Sequence, residues 1–493
     1  MSIGSTTRRM MTTLLMLSLA LAVPAMAADI PSEVTLFKNV NIFDGKSEKL
    51  LKGQDVLVVG NLIRQVAKDI PTSGTYEIDA KTGGVTKNTV SFGGAQGYTI
   101  YSAADKAGTE KKHVKVNVID GGGRTLMPGL TDAHWHVIYA GLHSLDELRT
   151  EEVDYIHAQM VKEAGNTLMR GFTTVRDLGG GGFGLKKAID QGVIPGPRIL
   201  PSGTHIGITG GHADYTESWH APRRFGGAMD RYEQIESFRK VAGVPDMLDA
   251  VRFNLKRGAS QIKILMGGGV ASTYDPLDVN EFTFEEVKAA VDVASNWGTY
   301  VTVHIYTSEG IKKAIKAGVK GIEHGHLMDE EVARMMAENG VWLCIQPFSP
   351  DTPGALEALG PEKFKKFLEM ANGFPKTMDF VKKYKINLAF GTDLSFTPEF
   401  NGAQANALAK FSKWLSNAEL LKLITSQNAK YFELSGERHP YKQGALGVIQ
   451  EGAYADILLV DGNPLNDVSI LGDNGKNIPL IMKDGKIYKN ALR

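Results

Sequence analysis

The chain has 493 residues, 43% hydrophobic and 22% charged, which excludes a disordered chain and calls for a large folded core. Lys plus Arg balances Asp plus Glu at 55 each, so there is no uniform basic field for nucleic acid, and a small, weakly charged substrate fits better. The single cysteine, Cys344, excludes an internal disulfide and a thiolate zinc site, leaving His, Asp, Glu and Lys as the residues that could hold a metal.

Arg8 and Arg9 precede a 14-residue apolar-dominated run, Met10 to Val23, followed by Ala25-Met26-Ala27, the small-x-small pattern of a signal-peptidase site. Residues 1–27 read as a cleaved signal peptide rather than a retained anchor, because the run is short of the ~20 residues a membrane-spanning helix needs. The mature chain is then expected to be periplasmic or secreted by a bacterium, with no membrane span. Arg8-Arg9 after Thr7 leaves both the general and the twin-arginine export routes open.

Residues 28–128 read as a β module. Val34 to Phe37 and Asp55 to Asn61 are strand-like, with Gly60-Asn61 as a hairpin turn. Within this module, about 81–112 is rich in Gly, Thr, Ser and Lys, which predicts an exposed insertion or long hairpin. From Gly129 to about residue 435, apolar runs alternate with amphipathic stretches such as Phe284 to Ser295 and Glu330 to Asn339. Eight strand candidates end near His136, Asp177, Ser202, Met266, His304, His324, Ile345 and Gly391. The expected class is α/β, a (β/α)8 TIM-type barrel. Residues 436–493 return to short β runs with Asp-Gly turns, so the N- and C-terminal segments are expected to form one β-sandwich beside the barrel. The glycine surplus, 55 residues, gathers in runs such as 121–123, 179–182 and 267–269, which read as tight loops.

The strongest local signal is Asp132-Ala133-His134-Trp135-His136. Side chains two apart in a strand share a face, so His134 and His136 can offer imidazole nitrogens to one cation. Lys263, His304, His324 and Asp393 also stand at predicted strand ends, where barrel active sites lie. Any one of them could be a satisfied polar core group; together they form a site candidate. Lys263, flanked by isoleucines, is costly to bury as a cation and must be neutralised, paired or modified.

This set, with Glu323-His324-Gly325 and Gly391-Thr392-Asp393, resembles the binuclear metal site of the amidohydrolase superfamily. Thr173 to Asp177 and the 20-residue spacing from His304 to His324 resemble its imidazolonepropionase-related branch, which includes Xaa-Pro dipeptidases and amidases acting on ochratoxin A. The resemblance implies two divalent ions, zinc before cobalt or manganese, and a carbon dioxide-derived carbamate on Lys263 bridging them. It implies His134, His136 and Asp393 as ligands of the first metal, and His304 and His324 of the second. A metal-bridging hydroxide would attack the amide, and Asp393 would shuttle its proton to the leaving amine.

His212, on a Gly-rich loop, could contact substrate or serve the loop; Tyr274 could bond the developing oxyanion or pack as a loop aromatic. His326 reads as a supporting or loop residue, and Cys344 as buried and inert. Arg176, Arg223 and Arg224 could meet a substrate carboxylate, although Arg176 could equally form an ion pair with Asp177. The expected activity is amide or peptide cleavage to a C-terminal amino acid, on a dipeptide or N-acyl amino acid, in a chain that could form a homo-oligomer. The alternatives are an imidazolonepropionase-like cyclic amidase or deaminase, disfavoured by Lys263, and, outside enzymes, a solute-binding protein.

Overall fold

The computed structural model describes residues 33–70, 75–78, 85–91, 98–102, 112–350, 355–396 and 398–492. The signal-peptide reading of residues 1–27 lies outside them, as do 81–84, 92–97 and 103–111 of the expected insertion. The chain divides into two compact units, one of Ser32–Thr72 with Lys115–Arg493 and a smaller one that contains Ser73–Val114. In the smaller unit Thr75–Ile78 pairs antiparallel with Val85–Ser91 and parallel with Tyr98–Ser102.

The larger unit holds two parallel sheets. The first runs Arg198–Pro201, Phe172–Asp177, Leu130–Trp135. The second runs Phe238–Lys240, His205–Gly207, Ile262–Leu265, Val301–Thr307, Gly321–Leu327, Trp342–Ile345, Asn387–Phe390. All eight expected strands are present at the expected places. The short strands His205–Gly207 and Phe238–Lys240 are additional; at three residues each they are too brief to carry a periodic signal. At one seam between the sheets the Asp393 N–H donates to His134 O at 2.7 Å, and at the other the Ser260 N–H donates to Pro201 O at 2.7 Å.

Alternation along the strands separates chemistry from packing. Ile262, Ile264, Val301, Val303 and Ile305 join one apolar cluster with helix residues Val287, Ala290, Ile311 and Ala314, while Lys263, Thr302 and His304 occupy the alternate positions. The helix Phe284–Asn296 starts with a capping box, the Thr283 hydroxyl accepting from the Glu286 N–H and the Glu286 carboxylate from the Thr283 N–H. The helix Val244–Arg257 ends at Gly258, whose φ of 103° suits a residue without a Cβ.

The two ends of the chain share a further, mainly antiparallel sheet. Thr125–Pro128 lies between Glu33–Ile42 and Ile457–Val460, and Leu480–Lys483 and Lys486–Asn490 extend it. Phe37, Val56, Val58, Leu126, Ile457, Leu459 and Met482 form its core. No helix among the described residues is long and apolar enough to cross a membrane.

Candidate metal centre

Parallel strands bring the candidate ligands together: His134, His136 and Asp393 stand at or just past strand ends, while Lys263, His304 and His324 lie inside Ile262–Leu265, Val301–Thr307 and Gly321–Leu327 and not at their ends as expected. His134 ends the Leu130–Trp135 strand one residue early and His136 lies one residue past it. Their Nε2 atoms stand 3.5 and 3.1 Å from Asp393 Oδ1, and one ligand atom from each of the three lies within 4.8 Å of the others, close enough to share a cation. The His324 ring is 5.0 Å from that of His134 and 4.4 Å from that of His304. Lys263 is buried from solvent, and its charge acts on His134, His304 and His324 alike.

Two of the ligand candidates carry unusual backbone. His324 has φ 77° and Asp393 φ 56°, both in the left-handed region that non-glycine residues avoid. Such strain persists only where the surroundings over-determine it, and it concentrates at working sites. At Asp393 the restraint is visible: its N–H is bound to His134 O, while Asp132 takes Thr392 N–H (3.1 Å), the Thr392 hydroxyl and Gln404 Nε2–H (2.9 Å).

The electrostatics favour metal-ready protonation states. Burial, reinforced by Lys263 and neighbouring imidazoles, holds His134, His304 and His324 well below the ordinary histidine range, so each stays neutral with a lone pair to give. Burial also opposes a charge on Asp393, but His134, His136 and Lys263 outweigh it and keep the carboxylate below its usual value. Lys263 is pushed down to about 8 by burial and by Arg176, against the pull of Glu323 and Asp393.

Orientation comes from the groups behind the rings. Glu323 Oε2 lies 2.9 Å from His134 Nδ1 without completing a hydrogen bond, and Gln346 Nε2 lies 3.1 Å from the same nitrogen, while Nε2 faces Asp393. His304 Nε2 is 3.2 Å from Gly268 O, an acceptor, which puts the proton on Nε2 and leaves Nδ1 free. His136 Nδ1 and His324 Nδ1 are buried and have no hydrogen-bond partner among the described residues. Neutral imidazoles, a carboxylate and unpartnered buried nitrogens form a donor set that fits divalent metal.

The remaining candidates fall into place separately. His212 joins the cluster, its ring 4.3 Å from that of His304. Tyr274 is exposed, and its hydroxyl donates to Thr216 O at 2.8 Å, which occupies its only proton. His326 lies within the Gly321–Leu327 strand, which runs further than expected, and its Nε2 is 2.9 Å from Gln346 O. Cys344 is buried and free, beside Glu323. Arg176 pairs with Glu323, not with Asp177, and its other hydrogen bonds go to Ala133 O and the Tyr300 hydroxyl, so it is spent on structure. Arg223 and Arg224 pair with Glu233 and Asp246 and line a cavity of about 620 Å³ to which none of the clustered histidines contributes. Asp132 and Glu323 entered the sequence reading only as members of the motifs around His134 and His324, with no role assigned, and His205 was not named. His205 lies with its ring 5.1 Å from that of His136 and stacks on Tyr139.

A model of the amidohydrolase family matches residues 125–488. An ochratoxinase of Aspergillus niger is 29% identical over 376 residues, 74% of this chain and 75% of that protein. A crystal structure of an amidohydrolase aligns with a TM-score of 0.77 at 32% identity, covering 93% of this chain and 100% of that one. A prolidase crystallised with N-methylphosphonate-L-proline aligns at 0.75 with 29% identity and the same coverage.

Proposed function

Because this chain belongs to the amidohydrolase family and is a hydrolase of amide or peptide C–N bonds, we propose that it cuts the bond to a C-terminal amino acid in a dipeptide or N-acyl amino acid. The amide of ochratoxin A belongs to the same class. The observation that carries this reading is the convergence of His134, His136 and Asp393 on one point, with His304, His324 and buried Lys263 beside them. Eight parallel strands with bonded seams read as a closed TIM-type barrel, and the shared terminal sheet as the accompanying sandwich.

In this reading His134, His136 and Asp393 hold one divalent ion and His304 and His324 a second, zinc in each case. Such ions, when bound, acidify the attacking water and polarise the scissile carbonyl. Lys263 joins as a carbamate: its free amine, made accessible by a value of about 8, adds to carbon dioxide and loses a proton, which exchanges a buried cation for an anionic ligand. Asp393, ionised and facing His134 and His136, accepts the proton of the attacking water and passes it to the leaving nitrogen. That second transfer is required because an amide anion is too basic to depart. Glu323, paired with the buried Arg176, lies beside His134 Nδ1. Export is part of the same proposal: residues 1–27 direct the chain to the periplasm or beyond and are removed after Ala27.

Asp393→Asn tests the proton transfer. The variant is expected to fold normally and to lose on the order of 10²- to 10⁴-fold in kcat on an Xaa-Pro dipeptide. A near-normal rate removes Asp393 from that role.

A further inference from the structure

His212 belongs to a chain of hydrogen bonds that the proposed reaction leaves unexplained. Its Nδ1 is 2.8 Å from Ser272 Oγ, and Ser272 Oγ is 2.7 Å from Asp275 Oδ2 and 3.3 Å from Gly269 O. Ser272 and Asp275 are buried. The serine has one proton, and its two other neighbours are a carboxylate and a carbonyl, both acceptors. Whichever of them takes that proton, the serine oxygen faces His212 as an acceptor, so the imidazole proton resides on Nδ1. Nε2 is left as a bare lone pair, on a ring 4.3 Å from that of His304.

The relay is built as a rigid part. The Lys366 ammonium donates to three carbonyls of the same loop, Gly269 O (3.1 Å), Ser272 O (3.1 Å) and Asp275 O (2.6 Å). Asp275 Oδ2 also accepts the Gly269 N–H at 2.6 Å. A Cβ on Gly269 would lie 1.9 Å from the His212 ring, so the close fit depends on glycine there. From the other side, Glu281 Oε1 accepts the His212 N–H at 2.7 Å. Backbone and ring are thus held at separate points.

We infer that Ser272 and Asp275 are positioning residues that lock His212 in the Nδ1–H tautomer, so that Nε2 accepts an N–H of the substrate. His212 would then be a substrate-binding acceptor and not a donor to the developing oxyanion, since a neutral imidazole has one proton and this one is committed to Ser272. In a dipeptide the N–H comes from the α-amino group, and in an N-acyl amino acid from the amide. This rests on the hydrolase reading for its substrate but not for its tautomer.

The test is ¹⁵N NMR of the histidine rings in the metal-loaded full chain, with His212 assigned by a His212→Gln variant, and alanyl-proline kinetics on the same samples. The wild type is expected to show the His212 proton on Nδ1. Ser272→Ala removes the acceptor that faces Nδ1 and frees the ring to carry its proton on either nitrogen. That variant is expected to raise KM about 10-fold, the size of one lost hydrogen bond, with kcat within about threefold. Ser272→Thr, which keeps the hydroxyl, is expected to restore both the tautomer and KM. A wild-type proton on Nε2, an unchanged tautomer and KM in Ser272→Ala, or a fall in kcat at constant KM overturns the inference. The tautomer is read without turnover, so absence of dipeptide hydrolysis would count against the proposed function while this assignment is still decided.

Discussion

Glu281 is a buried carboxyl, with one oxygen on the His212 backbone N–H and the other, Oε2, without a partner among the described residues. Burial, helped by the nearby Asp275 charge, pushes it up to about 9 from an ordinary 4.5. A raised acid is protonated in the fold while the unfolded chain ionises above about 4.5, so its contribution to stability is full below that value and is lost as pH rises toward about 9. Glu281→Gln keeps an acceptor for His212 and removes the titration. The variant is expected to gain on the wild type by up to about 1.4 kcal/mol per pH unit across that window, read from urea unfolding at several pH values. Parallel pH profiles would contradict it. The same scale shows why Glu323 was passed over. Strict alternation sends Glu323 and His324 to opposite faces, but the left-handed backbone at His324 breaks the alternation, and both reach His134. A single positive φ on a histidine leaves no trace in composition or periodicity. Lys263, by contrast, was legible because a lysine between isoleucines is costly under any backbone.

At the scale of elements, the seam beside the Asn387–Phe390 strand explains the glycine of Gly391-Thr392-Asp393. A Cβ on Gly391 would stand 2.4 Å from His134 Cβ and 2.7 Å from its backbone nitrogen, atoms that cannot swing aside. Gly391→Ala is expected to destabilise by about 1–3 kcal/mol and to lower activity by displacing His134. Gly184, in the helix Phe183–Asp190 with open space where its Cβ would be, is the control: Gly184→Ala should gain about 0.5–1 kcal/mol and leave activity alone. Thermal unfolding and turnover on both variants check the pair, and equal effects would refute the packing argument. Helices with a clear apolar stripe were read nearly to the residue: 284–295 was expected and Phe284–Asn296 is found, 330–339 was expected and Glu330–Glu338 is found. The helical segment Ala355–Tyr384 was not placed; it contains Pro361 and Pro375 and is kinked at Gly360, features that interrupt a regular helix.

For the whole molecule, the rhythm of strands and helices carried the architecture, and the β texture at both ends carried the shared terminal sheet. What escaped was pairing between distant segments. Nothing local says that Thr125–Pro128 lies beside Ile457–Val460, or that Asp132 locks Thr392 and Gln404 across the first and last strands of the series. Such contacts are set by how the parts pack, and a single sequence records only that each part is apolar or polar. The candidate ligands were legible because each falls in or just after a strand of the parallel series, where α/β enzymes of this kind gather their chemistry. The proposed function stands on these residues holding metal that hydrolyses an amide. Metal content and Xaa-Pro hydrolysis, measured on one sample before chelation, after it and after zinc is restored, decide whether they do. Two equivalents of metal, with activity lost on chelation and recovered with zinc, is the predicted result; full turnover by metal-free protein would contradict it.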